Sequence, residues 1–363
     1  MKYSTKELCL IWLDSFIGLE YKHKAELYKK LNSESKIKDF IQENKGYILE
    51  FIGENNYNTL INSANAEYLN FVLEGLSKAG VKAITIDSED YPEELKGIEI
   101  PPLVLYAIGN LELLKNKKFS IVGSRKNLPI SLKIAEDYAD KLCEAGLTLV
   151  TGIAEGVDKA VLLAGLKHKK IISVVAGGFN CIYPKTNIDV FNKVCENGLA
   201  ISESPPDVNP MPYFFPIRNR IIAGLGIGTL VVSGAKKSGT MYTAEFAEEY
   251  GKDLFCVPYS IGVKSGEGTN ELIKKGALLT DTPNDIIDFY NLEVKESKIE
   301  LTKEEKEVVA VIREGLTHIE QIALKTKKSA AELLATLSML EIKGVVVKDG
   351  VNSYSIIKDN LEA

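Results

Sequence analysis

Two arginines, Arg218 and Arg220, lie in the segment FPIRNRIIAGLG (215–226), which is otherwise apolar except for Asn219. A guanidinium group presents a planar fork of donors that binds either a phosphate of a ligand or a carboxylate of the protein itself. The segment is predicted to begin a helix, and side chains two residues apart on a helix do not share a face. We therefore expect one arginine to contact an anionic ligand and the other to bind a carboxylate or a neighbouring loop.

The assignment of these two roles is a hypothesis, in which Arg220 contacts the ligand and Arg218 supports the fold. In the alternative, both arginines belong to an internal ion-pair network with Glu203 or Asp158. The two possibilities predict different effects of alanine substitution, because loss of a ligand contact weakens binding whereas loss of a buried ion pair lowers stability.

Loops rich in glycine and in donor side chains follow four of the predicted strands. Glycine lets a ligand approach the backbone closely, and serine, threonine, arginine and lysine supply hydrogen-bond donors for phosphate. Because the carboxyl ends of parallel strands meet at one edge of a sheet, these loops predict a shared anion site. Any single loop could instead be an ordinary turn. The loops are GSRK (123–126), TGIAEGVD (151–158), GGFNCIYPKTN (177–187) and SGAKKSGTMYTAEFA (233–247).

The glycine spacing in these loops excludes two common phosphate-binding motifs. The dinucleotide fingerprint G-x-G-x-x-G is missing, and SGAKKSGT has no lysine after its second glycine, as a P-loop requires. A nicotinamide-dependent dehydrogenase and a P-loop ATPase are therefore both disfavoured.

The elements that must position these loops are short apolar runs that alternate with helix-like segments from residue 119 to about 290. Strands that are apolar on both faces and interleaved with helices predict an α/β fold with a parallel sheet covered on two sides. The predicted strands are FSIVG (119–123), LTLVT (147–151), IISVVA (171–176), LAISES (199–204), GTLVVSG (228–234) and DLFCVP (253–258). The predicted helices are near 130–145, 156–168, 187–197, 217–225, 240–251 and 268–276.

The sequence on either side of this region predicts further domains. Residues 1–80 show helical spacing of apolar residues, and 81–291 lead into and include the α/β domain. A charged stretch at 292–300 is predicted to be a linker. Residues 301–363 contain three helical segments and then a hairpin with Asp349-Gly350 as its turn, an order that is typical of a winged helix.

The composition limits the classes of function. The chain has 363 residues and a net charge of −6, which argues against a surface coated with positive charge, so a polyanion would be held at a local site. The five cysteines are scattered and lack metal-ligand spacing, and no segment is long and apolar enough to span a membrane. We expect reduced thiols, no metal or cofactor, and a cytoplasmic protein.

The motifs resemble, in order and nearly in spacing, those of the DNA-processing protein A family, also called DprA or Smf. The resemblance covers about 82–285 and depends most on FPIRNR and on the YPKTN loop. It implies an extended Rossmann-like domain with an N-terminal helical, SAM-like domain and a C-terminal winged helix. It also implies a homodimer that binds and protects incoming single-stranded DNA and loads the RecA recombinase onto it in natural transformation, without a catalytic step.

The family's DNA-binding residues are carried over only where this sequence matches its motifs. The resemblance implies contacts with DNA from Gly123, Ser124, Arg125, Lys185, Asn187, Phe215, Arg218, Asn219, Arg220, Ser238 and Gly239. Phe214 and Phe215 are candidates for stacking on bases, because aromatic platforms bind single strands without regard to sequence. In the alternative, the two rings anchor their loop in the core. The segment ELIKKGALLTD (271–281) is the expected dimer seam.

Four positions depart from the family pattern: Glu155, Leu162, Ser233 and Gly234. A carboxylate at 155 near phosphates would weaken binding unless it pairs with an arginine.

Two other classes of protein remain as alternatives. A nucleotide-binding enzyme of the phosphoribohydrolase type would use Glu245 in SGTMYTAEFAEE, although no second acid or base is placed beside it. A regulator that reads duplex DNA is disfavoured because the predicted recognition helix, SAAELLATLSMLEIKG, contains no arginine and a single lysine.

Overall fold

The computed structural model describes two compact units, which span Met1–Lys295 and Glu296–Ala363. The described residues are 3–16, 19–32, 36–126, 128–293 and 301–356. The predicted linker lies outside the described residues from 294 onwards, as do residues 357–363. Among the described residues, no helix has both the length and the apolar character that a membrane span needs.

The first unit begins with five helices that bury an apolar core around Leu10, Ile11 and Trp12. The first helix starts at a capping box in which the Ser4 hydroxyl accepts a hydrogen bond from the Glu7 N–H and the Glu7 carboxylate accepts one from the Ser4 N–H. The helices are α1 (Thr5–Ser15), α2 (Tyr21–Lys30), α3 (Ile37–Glu43), α4 (Lys45–Ser63) and α5 (Ala66–Lys78).

A nine-stranded sheet follows, and it contains all six strands that the sequence predicts. Its strands are β1 (Lys82–Thr85), β2 (Val104–Gly109), β3 (Lys118–Gly123), β4 (Thr148–Thr151), β5 (Ile171–Val175), β6 (Leu199–Ser202), β7 (Gly228–Ser233), β8 (Asp253–Cys256) and β9 (Leu278–Leu279). The spatial order is β1-β2-β6-β5-β4-β3-β7-β8-β9. β2 runs antiparallel to β1 and β6, and every other pairing is parallel, which confirms the predicted α/β class.

Helices cover both faces of this sheet, because successive side chains of each strand point to opposite sides. Ile121 packs into the cluster that contains residues of α7 and α8, whereas its neighbour Val122 packs into the cluster that contains residues of α10 and α11. The helices are α6 (Glu93–Lys96), α7 (Pro129–Glu144), α8 (Val157–His168), α9 (Ile188–Asn197), α10 (Phe214–Leu225), α11 (Gly239–Glu249), α12 (Glu267–Lys275) and α13 (Pro283–Phe289).

The N-terminal helices are joined to the sheet by a buried polar network. The Asp14 carboxylate at the end of α1 accepts a hydrogen bond from the Tyr106 hydroxyl on β2 (2.9 Å) and one from Lys24 Nζ on α2 (3.0 Å). Burial raises the pKa of Tyr106, and the negative charge of Asp14 adds to this effect, so the phenol stays protonated and continues to donate.

The strand order creates a switch point at the centre of the sheet. From β3 the chain adds β4, β5 and β6 on one side, and it then returns to place β7 on the other side of β3. The crossover loops therefore diverge at the carboxyl ends of β3 and β7 and leave a crevice between them, which is where open α/β sheets bind ligands.

The second unit has the helices and the hairpin of a winged helix, as the sequence predicts. Its elements are α14 (Lys303–Arg313), α15 (Ile319–Thr326), α16 (Ala330–Ile342), β10 (Val346–Gly350) and β11 (Ser353–Ile356). The predicted turn at Asp349-Gly350 is wrong, because β10 continues through Gly350 with a bulge after Lys348. The chain reverses at Val351 and Asn352 instead, and Asn352 supplies the left-handed backbone (φ 61°) that the turn needs.

Candidate functional site

A large groove lies at the switch point, with a volume of about 1320 Å³. Its walls come from the loop after β3, the first half of α10, the start of α11 and residues 263–265; we call it the central groove. A side cleft of about 540 Å³ shares Tyr183 and Pro210 with it, and a small cleft of about 180 Å³ shares Arg125, Phe215 and Arg218. The three spaces therefore have walls in common.

Arg218 lies in the wall of the central groove and is 7% exposed. Its Nη1 donates a hydrogen bond to the Val174 carbonyl, and its Nε donates one to Asn219 Oδ1 (3.1 Å). Burial lowers the pKa of Arg218 to about 10, an effect that Asp158 opposes and Arg125 reinforces. The guanidinium is therefore charged at neutral pH, and within the described part of the chain it forms no direct ion pair.

Asp158 is the nearest acidic influence on this guanidinium. Its Oδ2 accepts a hydrogen bond from the Ala154 N–H (3.2 Å), and burial raises its pKa while Arg218 lowers it. Both side chains pass close to Gly152, where an added Cβ would lie 2.8 Å from Arg218 Nη2. Glycine is required at 152 because a methyl group there would displace the two charged groups.

Arg220 points away from the central groove, to the other side of α10. It is 2% exposed, and its Nη2 and Nη1 contact the two carboxylate oxygens of Glu203 at 2.5 and 2.9 Å. Its Nε donates to the Ile100 carbonyl (2.8 Å), and its guanidinium lies over the Tyr21 ring at 5.9 Å.

This geometry reverses the assignment made from the sequence, since Arg218 lies in the groove and Arg220 is bound to a carboxylate. Two residues on a helix are separated by about 200°, so one side chain had to face the groove and the other the interior. The sequence predicted that the two arginines have different roles, but it did not determine which arginine has which role.

Arg125, Phe215 and Tyr183 form a row along the groove wall. The Arg125 guanidinium lies 5.5 Å from the centroid of the Phe215 ring, and the Tyr183 ring lies 5.9 Å from the same centroid at 69°. Tyr183 is 55% exposed, and Arg125 is also exposed. Such a row offers ring faces and positive charge together, which is the chemistry that binds unstacked bases and their phosphates.

Of the two aromatic residues proposed to stack, only Phe215 lines the groove. Phe214 packs edge-on against Tyr213, with ring centroids 4.8 Å apart, and is not among the groove residues. Tyr183 was not singled out for stacking, although it begins the YPKTN loop on which the family resemblance depends.

Lys185 and Asn187, from the same loop, lie outside the central groove. Lys185 lines the side cleft. Asn187 is fully buried and donates from Nδ2 to the Ile153 carbonyl (2.9 Å), so it holds the loop after β4 against the loop after β5. The structure therefore brings Lys185 to the margin of the site and places Asn187 behind it.

The loop after β3 and the start of α11 form the remaining walls. Gly123, Ser124 and Arg125 line the groove, and the Ser124 N–H donates to Ser233 Oγ on β7 (3.3 Å). This bond joins the two strands at the switch point and gives Ser233 a role in the fold.

Ser238 and Gly239 precede and begin α11, and Asn219 Nδ2 donates to the Gly239 carbonyl (3.1 Å). Asn219 therefore connects α10 to α11 and lines the groove. Thr240, Lys264 and Ser265 complete this wall. Thr240 belongs to the loop 233–247 that the sequence singled out, whereas Lys264 and Ser265 lie outside the four predicted anion-binding loops.

Glu155 lines the small cleft beside Arg125 and Arg218. Its Oε1 accepts a hydrogen bond from Thr186 Oγ1 (2.5 Å), and its Oε2 accepts one from Lys159 Nζ (3.3 Å). The Thr186 hydroxyl, with Lys159, lowers the pKa of Glu155, so the carboxylate is ionised at neutral pH. Leu162, the other departure from the family pattern on α8, is fully buried.

The described residues contain no group of three or more His, Cys, Asp or Glu side chains arranged to hold a metal ion.

Comparisons with known proteins identify the family of the chain. The family profile described as DNA recombination-mediator protein A matches residues 82–291, and the profile described as DprA winged helix domain matches residues 294–349. The DNA processing protein DprA of Bacillus subtilis (strain 168) is 36% identical over 234 residues, which cover 64% of this chain and 77% of that protein.

Two solved structures share the fold at 29% sequence identity. DNA processing protein A from Streptococcus pneumoniae has a TM-score of 0.64 and covers 81% of this chain and 99% of its own. The protein of the same name from Helicobacter pylori, whose structure concerns its single-stranded DNA binding mode, has a TM-score of 0.54 and covers 59% of this chain and 97% of its own. With the family profile matching more than half of its residues, the chain belongs to the DNA recombination-mediator protein A family.

Proposed function

We propose that this protein binds single-stranded DNA in the central groove without regard to base sequence. The observation that carries the proposal is Arg218, a desolvated guanidinium in the groove wall that forms no direct ion pair with a carboxylate of the described residues. A buried cation without such a partner is costly, and a phosphate supplies the missing charge. The Helicobacter pylori relative, which binds single-stranded DNA, supports the same conclusion.

The row of Arg125, Phe215 and Tyr183 explains why single strands would be preferred. Bases stack on aromatic rings only when they are not paired and stacked in a duplex, and each such stack contributes about 1–3 kcal/mol. Arg125 and Arg218 would contact the phosphates that flank these bases, and Ser124 and Asn219 would add donors. Lys185 in the side cleft would extend the contact along the strand.

The test compares labelled oligothymidine with the matching duplex by fluorescence anisotropy across a salt series. We expect tight binding of the single strand, weak binding of the duplex, and a log–log decrease of affinity with salt, because phosphate neutralisation releases counterions. Equal affinity for the two nucleic acids at moderate salt would contradict the proposal.

We also propose that binding involves no catalytic step. Among the described residues of the central groove, Asp158 is the sole carboxylate and no histidine is present, so paired acid and base groups are missing. Glu245, which the phosphoribohydrolase alternative requires, is exposed on α11 and is not a groove residue. Release of free adenine from adenosine monophosphate by the purified protein would favour that alternative instead.

The family resemblance supports the wider role that we propose. The protein would act as a homodimer in the cytoplasm, protect incoming single strands and load RecA onto them during natural transformation. Residues 271–281 are the proposed dimer seam, where Leu278 and Leu279 of the edge strand β9 are 38% and 52% exposed. Light scattering should give twice the chain mass at micromolar protein. RecA filaments should assemble faster on single strands in the presence of this protein than in its absence.

Alanine variants of two glycines distinguish a glycine that is needed for packing from one that leaves room for DNA. At Gly239 an added Cβ would meet nothing within 4 Å, so we expect Gly239→Ala to keep the stability of the wild type. Because Gly239 lines the groove, the methyl group would occupy space beside the start of α11 and weaken single-strand binding several-fold.

The matched control is Gly123→Ala, whose Cβ would lie 2.5 Å from Val157 Cγ2. It should lose about 1–3 kcal/mol of stability through overpacking. Urea unfolding and anisotropy titrations measure both effects, and a Gly239→Ala variant that binds like the wild type would show that DNA does not approach this turn.

Glu155→Gln should strengthen single-strand binding by about twofold to fivefold at low salt, because it removes an exposed negative charge near the phosphates. The amide can still accept from Thr186 and is close in shape to the carboxylate. The gain should disappear at high salt. Glu112→Gln, at an exposed site that lines none of the three clefts, is the matched control and should change nothing. If the variant still binds single strands more tightly at high salt, Glu155 affects binding through the conformation of its loop and not through its charge.

A further inference from the structure

The first turn of α11 presents backbone donors to the central groove. The first hydrogen bond of the turn runs from the Met241 N–H to the Ser238 carbonyl (3.0 Å), and the N–H groups of Gly239 and Thr240 have no acceptor among the described residues. The helix has 11 residues, enough to develop the partial positive charge that favours anions at its start.

Thr240 is an independent indication that a ligand atom belongs here. The residue is 8% exposed and lines the groove, and its hydroxyl forms no hydrogen bond with any described residue. The hydroxyls of Ser238 and Ser265, which line the same wall, are also buried without a partner in the described part of the chain. A buried hydroxyl without a partner costs free energy, so these two hydroxyls beside the unpaired Thr240 hydroxyl indicate a missing acceptor.

The charges around this turn also suit an anion. Lys264 is exposed in the groove wall and forms no ion pair with the described residues. Lys236, by contrast, is held by Glu271 at 3.6 Å and is not a groove residue. Asp158, the carboxylate of the groove, is already bound by the Ala154 N–H.

The number and charge of the donors suit a phosphomonoester better than an internal phosphate of DNA. A phosphodiester has two non-bridging oxygens and a single charge, whereas a phosphomonoester has three terminal oxygens and nearly two charges at neutral pH. Two N–H groups, three hydroxyls and one ammonium match the second group better. At Gly239 an added Cβ would meet nothing within 4 Å, so a phosphate has room to approach the backbone.

Resting on the proposed function, we propose that Ser238, Gly239, Thr240, Lys264 and Ser265 form a phosphomonoester site, here called the α11 cradle. Its ligand is the 5′-terminal phosphate of a DNA strand or the phosphate of a free nucleoside monophosphate, two sources with the same chemistry. Arg218 and Arg125 then hold internal phosphates, and the cradle holds the end of the strand.

The test compares oligothymidines that carry either a 5′-phosphate or a 5′-hydroxyl, both labelled at the 3′ end, by anisotropy. We expect about tenfold tighter binding of the phosphorylated strand, the effect of one or two hydrogen bonds to a charged group. Thr240→Val and Ser265→Ala should each bring this ratio towards one. Thr229→Val is the matched control, because Thr229 Oγ1 is also buried without a partner among the described residues but lies outside the groove.

A second arm identifies the source of the phosphate. Thymidine monophosphate and thymidine are compared as competitors of the 5′-hydroxyl strand. If the monophosphate displaces this strand better than thymidine does, and Thr240→Val removes the difference, the cradle also binds free nucleotides. If the two strands bind with equal affinity and the monophosphate competes no better than thymidine, the α11 cradle does not bind phosphomonoesters. Single-strand binding by the central groove would be unaffected by that result. If neither strand binds, the proposed function fails, and the monophosphate binding measured directly by calorimetry then decides whether the cradle exists.

Discussion

Replacing Arg218 with alanine is expected to weaken single-stranded DNA binding by about 10- to 100-fold, because a charge-assisted hydrogen bond to phosphate contributes about 1.5–3 kcal/mol. The effect on stability should be small, about 1 kcal/mol, since the variant loses the bond to the Val174 carbonyl but also a desolvated charge. Anisotropy titrations and urea unfolding of the same preparation measure the two quantities.

Arg218→Lys is the control that separates charge from geometry. Lysine keeps the positive charge but loses the planar fork, so its affinity should lie between those of the alanine variant and the wild type. The affinity of Arg218→Ala for single-stranded DNA should also depend less steeply on salt concentration, by about one released counterion. An alanine variant that binds single strands like the wild type would show that α10 is a structural clamp and would remove the main support for the groove.

Replacing Arg220 with alanine is expected to lower the free energy of unfolding by about 2–4 kcal/mol, because it leaves Glu203 without the partner that compensates its burial. The side chain of Glu203 is 27% exposed, so water recovers part of this loss and the full cost of a buried pair is not expected. The bond to the Ile100 carbonyl is lost as well. The folded fraction should bind single-stranded DNA with wild-type affinity, since Arg220 does not reach the groove.

A double variant tests the physical cause of this loss. Arg220→Met combined with Glu203→Gln removes both charges, and it should recover part of the stability that Arg220→Ala loses. Urea midpoints at constant slope measure the recovery. If the single variant unfolds at the wild-type urea concentration, or if it loses DNA binding while remaining fully folded, Arg220 has been assigned the wrong role.

The main elements of the α/β unit could be predicted from local sequence. Runs such as FSIVG and IISVVA are apolar on both faces, and only a strand covered by helices on two sides gives such a run a stable environment. The helices of the winged-helix unit follow in the same way from their apolar spacing, and two of them, α14 and α16, begin at capping boxes. The turn of its hairpin was missed because a bulge in β10 moved the reversal to Asn352.

The sequence by itself therefore determined which loops carry donors, and the order of strands decided which of these loops meet. Only the placement of β7 beside β3 brings residues 123–126 next to Ser238 and Gly239. Likewise, the spacing of Arg218 and Arg220 required opposite faces of α10, but the choice of face depended on Glu203 and Val174, which lie on other elements. Periodicity is a property of neighbouring residues along the chain, whereas strand order and burial depend on contacts between distant residues, so only the tertiary structure could settle them.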